Sequence, residues 1–363
     1  MDPSSLPDDE QLLLRAATRN GWISAECVAE ARELQDKLVM LGLRPKPMGE
    51  ILMERGFITE EQKAELERTV ANVKASFRIP GFKLLEKLGG GSTGTVYKAR
   101  QLGLDRVVAI KILARWLAED EAYVRRFMKE ARIAGRLNHA NIVQGFDAGE
   151  AAGAWYFAME YCPGPTLLKL LQRGGALDEA RAIAIVRQIA SALEHANAQG
   201  LVHRDVKPDN IIIAEGGVAK LLDLGLAKDN RRTSGSTERG STLGTPNYIS
   251  PEQAKGAEDI DVRSDLYSLG ATFYHAVTGV RPFEGPNATV VMLKHVSERP
   301  VQPSRHVPSL QADTERIILK LLAKAPVDRY QTPSALIADL DAIGTGRPGA
   351  RPPRGSSAAR RRA

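Results

Sequence analysis

The run Gly89-Gly90-Gly91-Ser92-Thr93-Gly94 constrains this chain most, because it joins two strand patterns and not a strand to a helix. Glycines let a backbone approach phosphates closely and turn N–H groups toward them. A dinucleotide-binding fold would open from such a run into a helix. Here Phe82 to Leu88 alternates before the run and Thr95 to Gln101 alternates after it, which predicts two paired strands. Taken alone, the run is as well explained by a flexible hairpin. Arg106 to Leu113 is β-branched and apolar, a third strand, and Ala154 to Glu160 reads as another. Glu121 to Leu137 and Leu177 to Gln199 have helical spacing. Strand patterns precede the long helix, so a small sheet-rich lobe followed by a larger helical one is expected.

Composition narrows the class. The 363 residues are 43% hydrophobic and 26% charged, which suits a soluble globular protein. No apolar run approaches the roughly 18–20 residues of a membrane span. Even Ala182 to Leu193 is broken by Arg187 and Gln188. Met1 to Glu10 is acidic, so no secretory signal is expected. The two cysteines, Cys27 and Cys162, stand far apart, which argues against a disulfide framework or a cysteine-based zinc site and fits a cytoplasmic location. Net charge is +6, and six arginines between Arg347 and Arg362, with no acid among them, account for it. That stretch reads as a solvated tail, and nucleic acid is not expected as a partner.

Three regions follow. Residues 1–76 are rich in Ala, Glu, Leu and Arg and read as a small all-α region. The breaker cluster Ile79-Pro80-Gly81 separates them from a mixed region at 82–343, and 344–363 form a disordered basic Pro/Gly/Arg tail. Within the first region, Gly21-Trp22-Ile23-Ser24-Ala25-Glu26 is echoed by Gly56-Phe57-Ile58-Thr59-Glu60-Glu61. In each copy Gly ends one helix and Ser or Thr caps the next, and Thr59 with Gln62 makes a capping-box pattern. Through Met48-Gly49-Glu50-Ile51-Leu52 this region resembles the small helical modules at the N-termini of secretion and pilus-assembly ATPases. Partner docking on these helices is one expectation; a passive helical appendage is the other.

Polar residues interrupt the mixed region in a telling order. Val108-Ala109-Ile110-Lys111 places a lysine in an apolar strand, costly to bury without a partner. Glu130, on the following helix, can supply the carboxylate. Then come His203-Arg204-Asp205-Val206-Lys207-Pro208-Asp209-Asn210 and Leu221-Leu222-Asp223-Leu224-Gly225. Asp and Asn singly are ordinary turn residues. Turns do not require Lys, Asn and two Asp in this order.

From Phe82 to Ile343 these elements resemble the glycine loop, VAIK, HRD and DFG segments of eukaryotic-type (bacterial Hanks-type) serine/threonine protein kinases. The resemblance implies an α+β, bilobal protein-kinase fold, with a β-rich N-lobe and an α-helical C-lobe, behind the all-α region. It implies transfer of the γ-phosphoryl group of ATP, with Mg2+, to Ser/Thr hydroxyls of protein substrates. By resemblance Asp205 accepts the hydroxyl proton, Lys207 neutralises the γ-phosphate, and Lys111, held by Glu130, meets the α/β-phosphates. Asn210 and Asp223 are hard oxygen ligands for Mg2+. The run Gly89 to Gly94 covers the phosphates, and Leu88 just before it also binds the nucleotide. Val96 and Ala109 lie above adenine and Ile212 below it. Met159 is the gatekeeper, and backbone groups of Glu160 and Cys162 face the base.

Further on, Gly244-Thr245-Pro246-Asn247-Tyr248-Ile249-Ser250-Pro251-Glu252 resembles the end of an activation segment. Thr245 then contacts Asp205 and Lys207, Glu252 pairs with Arg329, and Asp265 anchors the catalytic-loop backbone. Arg204 implies autophosphorylation of the segment, with Thr237, Thr242 and Ser241 as acceptors. Three residues depart from the family pattern. Leu224 replaces the usual Phe, Ser250 replaces Ala, and Thr93 occupies a loop tip that is usually aromatic or aliphatic. None removes a charge the reaction needs. A catalytically weak pseudokinase or scaffold is the alternative, and retention of Lys111, Asp205, Asn210 and Asp223 speaks against it.

Overall fold

A computed structural model describes residues 9–40, 46–76, 79–91, 93–151, 153–222 and 246–343. The chain divides into two units, Met1–Met128 with Phe146–Tyr161, and Lys129–Gly145 with Cys162–Ala363. Expectations that fall on Ser92, Asp223, Leu224, Thr245, the Thr237/Ser241/Thr242 acceptors and the arginine tail lie outside the described residues.

The first unit opens with four helices, α1 (Asp9–Arg19), α2 (Ala25–Met40), α3 (Met48–Glu54) and α4 (Glu60–Ser76). The sequence repeat is a repeat of joints. Gly21 and Gly56 both take φ +71°, a left-handed conformation that glycine adopts without steric cost. In each joint the aromatic residue after the glycine donates its N–H back over the helix end, Trp22 to Ala17 O and Phe57 to Leu52 O, both at 2.9 Å. Ser24 accepts from Cys27 N, and Thr59 with Gln62 forms the reciprocal capping box foreseen from sequence. Glu10 ties the helices together by accepting from Gln35 Nε2 and from the Met48 N–H. Leu13, Leu14, Ile51, Leu52, Ile58 and Leu66 fill the core these helices share.

The sheet of the first unit follows: β1 (Phe82–Gly91), β2 (Gly94–Gln101), β3 (Arg106–Leu113), β4 (Gly145–Ala151) and β5 (Ala154–Glu160), in the order β1-β2-β3-β5-β4. Two short elements, α5 (Arg115–Ala118) and the start of α6 (Glu121–Ala134), follow β3. β3 and β5 match the sequence expectation. β1 differs, because it runs on through Gly89, Gly90 and Gly91, which pair with Val96, Thr95 and Gly94. The glycine run is therefore mostly strand, with Thr93 at its turn. Gly94 is obligatory: a Cβ there would lie 2.1 Å from the Ile112 carbonyl oxygen. One face of the sheet, with Ala99, Val108, Ile110, Ile112 and Ala158, is a buried core. On the other face, Leu113 and Phe157 pack with Leu117, Val124 and Phe127 of α5 and α6.

The second unit contains α7 (Leu167–Gly174), α8 (Glu179–Ala198), the hairpin β6 (Ile211–Ile213) and β7 (Ala219–Leu221), α9 (Pro251–Ala254), α10 (Val262–Thr278), α11 (Ala288–Ser297), α12 (Ala312–Leu321) and α13 (Pro333–Ile343). Asp178 caps α8, so the helix starts just after the Leu177 expected from its apolar spacing. β4 and α7 carried no clear pattern in the sequence. Helix α10 is buried at every position from Ser264 to Val277, which makes it the hub of this unit. It approaches α12 closely at Gly270, where an added Cβ would sit 2.5 Å from Leu321 Cβ.

That contact sets the sign of a substitution. A helical Gly→Ala change gains about 1 kcal/mol of propensity, but overpacking typically costs about 1–3 kcal/mol. At 2.5 Å from a side-chain root the clash prevails. Gly270→Ala lowers the denaturation free energy measured in urea, where an exposed helical glycine would raise it.

Candidate active site

The strip between α8 and β6 has almost no regular structure of its own, so side chains must hold it. Asp265, in the first turn of α10, is 1% exposed, and its two carboxylate oxygens accept the N–H groups of His203 and Arg204, each at 2.7 Å. Burial pushes this carboxyl up to about 7, against the pull of those two donors. His203 is also buried and fixed at both ring nitrogens. Nε2 donates to Leu222 O at 2.8 Å, and Nδ1 accepts from Asp205 N at 3.2 Å, so the ring is neutral with its proton on Nε2. Arg204 adopts φ +65°. A non-glycine residue in that region costs on the order of 1–3 kcal/mol, so the surroundings must enforce it.

From there the polar groups converge. Lys207 Nζ and Asn210 Nδ2 both donate to Asp205 Oδ2 at 2.9 Å. Asn210 Nδ2 also reaches the Asp205 carbonyl at 2.9 Å. Pro208 opens the single 3-10 turn that brings Asn210 back toward Asp205. Leu222 N donates to Asn210 O at 2.8 Å, which places the residue before Asp223 beside Asn210. The Asn210 amide commits its NH2 to Asp205 and keeps Oδ1, a hard oxygen suited to Mg2+. Among the described residues no group of three or more His, Cys, Asp or Glu could hold a metal ion by itself.

Of the sequence-derived site residues, the second unit thus brings Asp205, Lys207 and Asn210 together, and it also carries Glu130, Cys162 and Ile212. The first unit carries Leu88, the described glycines, Thr93, Val96, Ala109, Lys111, Met159 and Glu160. Register sorts these. Gly89 pairs with Val96, Val96 with Lys111, and Ala109 with Met159. Directly paired residues share a face, and so do positions two apart on a strand. Gly89, Val96, Ala109, Lys111 and Met159 therefore lie on one face of the sheet, opposite the Val108/Ile110/Ile112 core.

The second unit also anchors the stretch ending in α9, through the expected Glu252–Arg329 pair and through residues that sequence reading missed. Asn247 O accepts from His295 Nε2 at 3.0 Å, and His295 Nδ1 meets Tyr267 Oη at 3.0 Å. Tyr248 Oη meets His275 Nδ1 at 2.7 Å. Ser250 caps α9 in a box with Gln253 and bonds Ser264 Oγ at 2.8 Å, so the departure from Ala adds a buried hydrogen bond. Gln253 Nε2 donates to Arg204 O at 2.8 Å. Glu252 takes both ends of the buried Arg329 guanidinium, at 2.7 and 2.9 Å. Three carbonyls, of Ala323, Arg263 and Lys324, take the remaining Arg329 donors. Burial lowers His275 to about 4 and His295 to about 3, so both are neutral near pH 7. A histidine inside an apolar helix reads as core in sequence; only its distant partner reveals the anchor.

The family model for the protein kinase domain matches residues 82–339. The chain is 42% identical over 266 residues to the serine/threonine-protein kinase pkn3 of Myxococcus xanthus, covering 70% of this chain and 48% of that protein. It is 40% identical over 271 residues to the serine/threonine-protein kinase PknB of Mycobacterium leprae, covering 74% of this chain and 43% of that one. The chain thus spans about half the length of the curated relatives it matches. The crystal structure of the Mycobacterium tuberculosis PknI kinase domain aligns with a TM-score of 0.60 at 28% identity, covering 73% of this chain and 97% of that domain.

Two outcomes follow from these contacts. Glu252→Ala strands a buried guanidinium and costs about 3–5 kcal/mol in chemical denaturation. Asp341→Ala breaks the exposed pair with Arg187 and costs under about 1 kcal/mol. The histidines set an acid limb. Because the folded His275 resists protonation, stability held above pH 6.5 erodes as pH falls toward 4. His275→Phe makes that limb shallower by about 1.4 kcal/mol per pH unit, read as denaturation free energy against pH.

Proposed function

We propose a mechanism on one premise: the chain belongs to the protein kinase family, in its bacterial serine/threonine branch. The reaction is transfer of the γ-phosphoryl group of ATP to a Ser or Thr hydroxyl of a protein. The observation that carries this reading is the Asp205 carboxylate oxygen held by Lys207 and Asn210, each at 2.9 Å, on a loop gripped by Asp265. Phosphoryl transfer asks little covalent chemistry of a protein and much positioning. Asp205 orients the acceptor hydroxyl and takes its proton. Lys207, poised beside it, offsets charge on the transferred group. Lys111 offers its ammonium to the α/β-phosphate oxygens, with Glu130 as its carboxylate. Gly89, Val96, Ala109 and Met159, sharing the Lys111 face of the sheet, make the nucleotide-facing surface, with Leu88, Glu160, Cys162 and Ile212 completing the adenine contacts.

Asn210 Oδ1 and the Asp223 carboxylate would hold Mg2+, which when bound would supply positive charge to neutralise the phosphate oxygens. Arg204 supports a regulatory step. Its buried Nε has no hydrogen-bond partner among the described residues, and a phosphate on Thr237, Ser241 or Thr242 would satisfy it with a charge-assisted pair. Thr245 serves acceptor selection beside Asp205 and Lys207. Among the described residues no helix is long and apolar enough to cross a membrane; with two free cysteines, the reading is a cytoplasmic enzyme.

Incubation with Mg-ATP and a generic protein substrate tests the reading. Wild type phosphorylates Ser or Thr, and Asp205→Asn falls by at least about 10²-fold. Equal rates would end the proposal, and nucleotide binding without turnover would assign the chain to a scaffold. Peptide analysis of the autophosphorylated protein places phosphate between Thr233 and Thr242; phosphate absent from that stretch would refute the regulatory step.

A further inference from the structure

Gln253 stands outside every motif that names the reaction, yet it is the residue on α9 that touches the loop carrying Asp205. Its side-chain amide works at both ends. Oε1 accepts from Ser250 N at 3.2 Å as half of the capping box, and Nε2 donates to Arg204 O at 2.8 Å. The side chain is buried, so water does not compete for either bond.

The carbonyl it holds belongs to the peptide joining Arg204 to Asp205. That unit is planar and turns as one body. Its N–H side, Asp205 N, is held by His203 Nδ1 at 3.2 Å, and its C=O side is held by Gln253. The peptide before it is held by Asp265 through Arg204 N at 2.7 Å. Arg204 lies between these two fixed planes at φ +65°, a conformation that would relax if one plane were released. Releasing the Arg204 carbonyl swings the Asp205 Cα, and with it the carboxylate that Lys207 and Asn210 hold.

We infer that Gln253 is a positioning residue for phosphoryl transfer, tying the end of the activation segment to the peptide that aims Asp205. The inference rests on the kinase reading of that loop. It also explains why an amide stands where a capping box takes Glu as readily as Gln. Glu keeps the acceptor for Ser250 N but offers no donor to Arg204 O, and it sets a carboxylate against that carbonyl. Gln can do both jobs.

The test separates capping from positioning. Gln253→Glu preserves the cap and removes the donor; Gln253→Met preserves the volume and adds no charge. Both are compared with wild type for melting temperature, for KM of Mg-ATP and for kcat on a protein substrate. The expected result is a kcat lower by about tenfold or more in both variants, with KM for ATP within about twofold, because misplacement of a catalytic group by a fraction of an ångström is enough. Folding of each variant is checked by its melting transition. An active wild type with equal kcat in a folded Gln253→Glu and a folded Gln253→Met overturns this inference alone. A parallel rise in KM for ATP with kcat unchanged overturns it too. A wild type that transfers no phosphate overturns the kinase reading, and the inference falls with it.

Discussion

One buried carboxylate holds the loop that carries Asp205 in place. Asp265 accepts two consecutive backbone N–H groups at 2.7 Å. The loop it grips runs from a helix end to a three-residue strand and could not fix itself with ladder bonds. The desolvation of that carboxyl is a standing cost, visible in its rise to about 7. The fold accepts the cost because everything downstream is aimed by it: the neutral His203 ring, the left-handed Arg204, and the Asp205 oxygen shared by Lys207 and Asn210.

Helix α10 supplies more than that carboxylate. Ser264, Tyr267 and His275 on the same helix reach Ser250, the His295 ring and Tyr248. Stacking these roles on one element requires burial all round, and the helix is buried from Ser264 to Val277. The pair Glu252–Arg329 adds a charged lock at the edge of the network, with every guanidinium donor used. Such a fully bonded buried pair serves geometry more than net stability. It fixes where α9 starts, and therefore where Gln253 meets the loop.

Much of this was legible in the chain, for identifiable reasons. β3 and β5 were readable to the residue, β3 because its run is β-branched and apolar, which suits a strand buried on a sheet. The cluster of Asp205, Lys207 and Asn210 was readable because its members lie within six positions of one another. The capping box of Thr59 and Gln62 was local for the same reason. Glu252 with Arg329 and the Asp265 anchor, separated by tens of residues from their partners, became legible through family resemblance and not through spacing. The missed features are long-range and chemically plain. Gln253 is 49 residues from Arg204, and His295 is 48 from Asn247. Glycines 89–91 looked like loop because their composition signals flexibility, while pairing with β2 keeps them extended.

If Asp265 positions the loop that carries Asp205 by accepting both N–H groups, its replacement must disturb turnover. Asp265→Asn keeps the shape but exchanges one acceptor oxygen for a donor, so one of the two N–H groups loses its partner. The decisive measurement is the turnover of this variant at saturating Mg-ATP, on protein shown to be folded. A fall of about tenfold or more is expected, as loss of orientation requires. Turnover equal to wild type in the folded variant would contradict it.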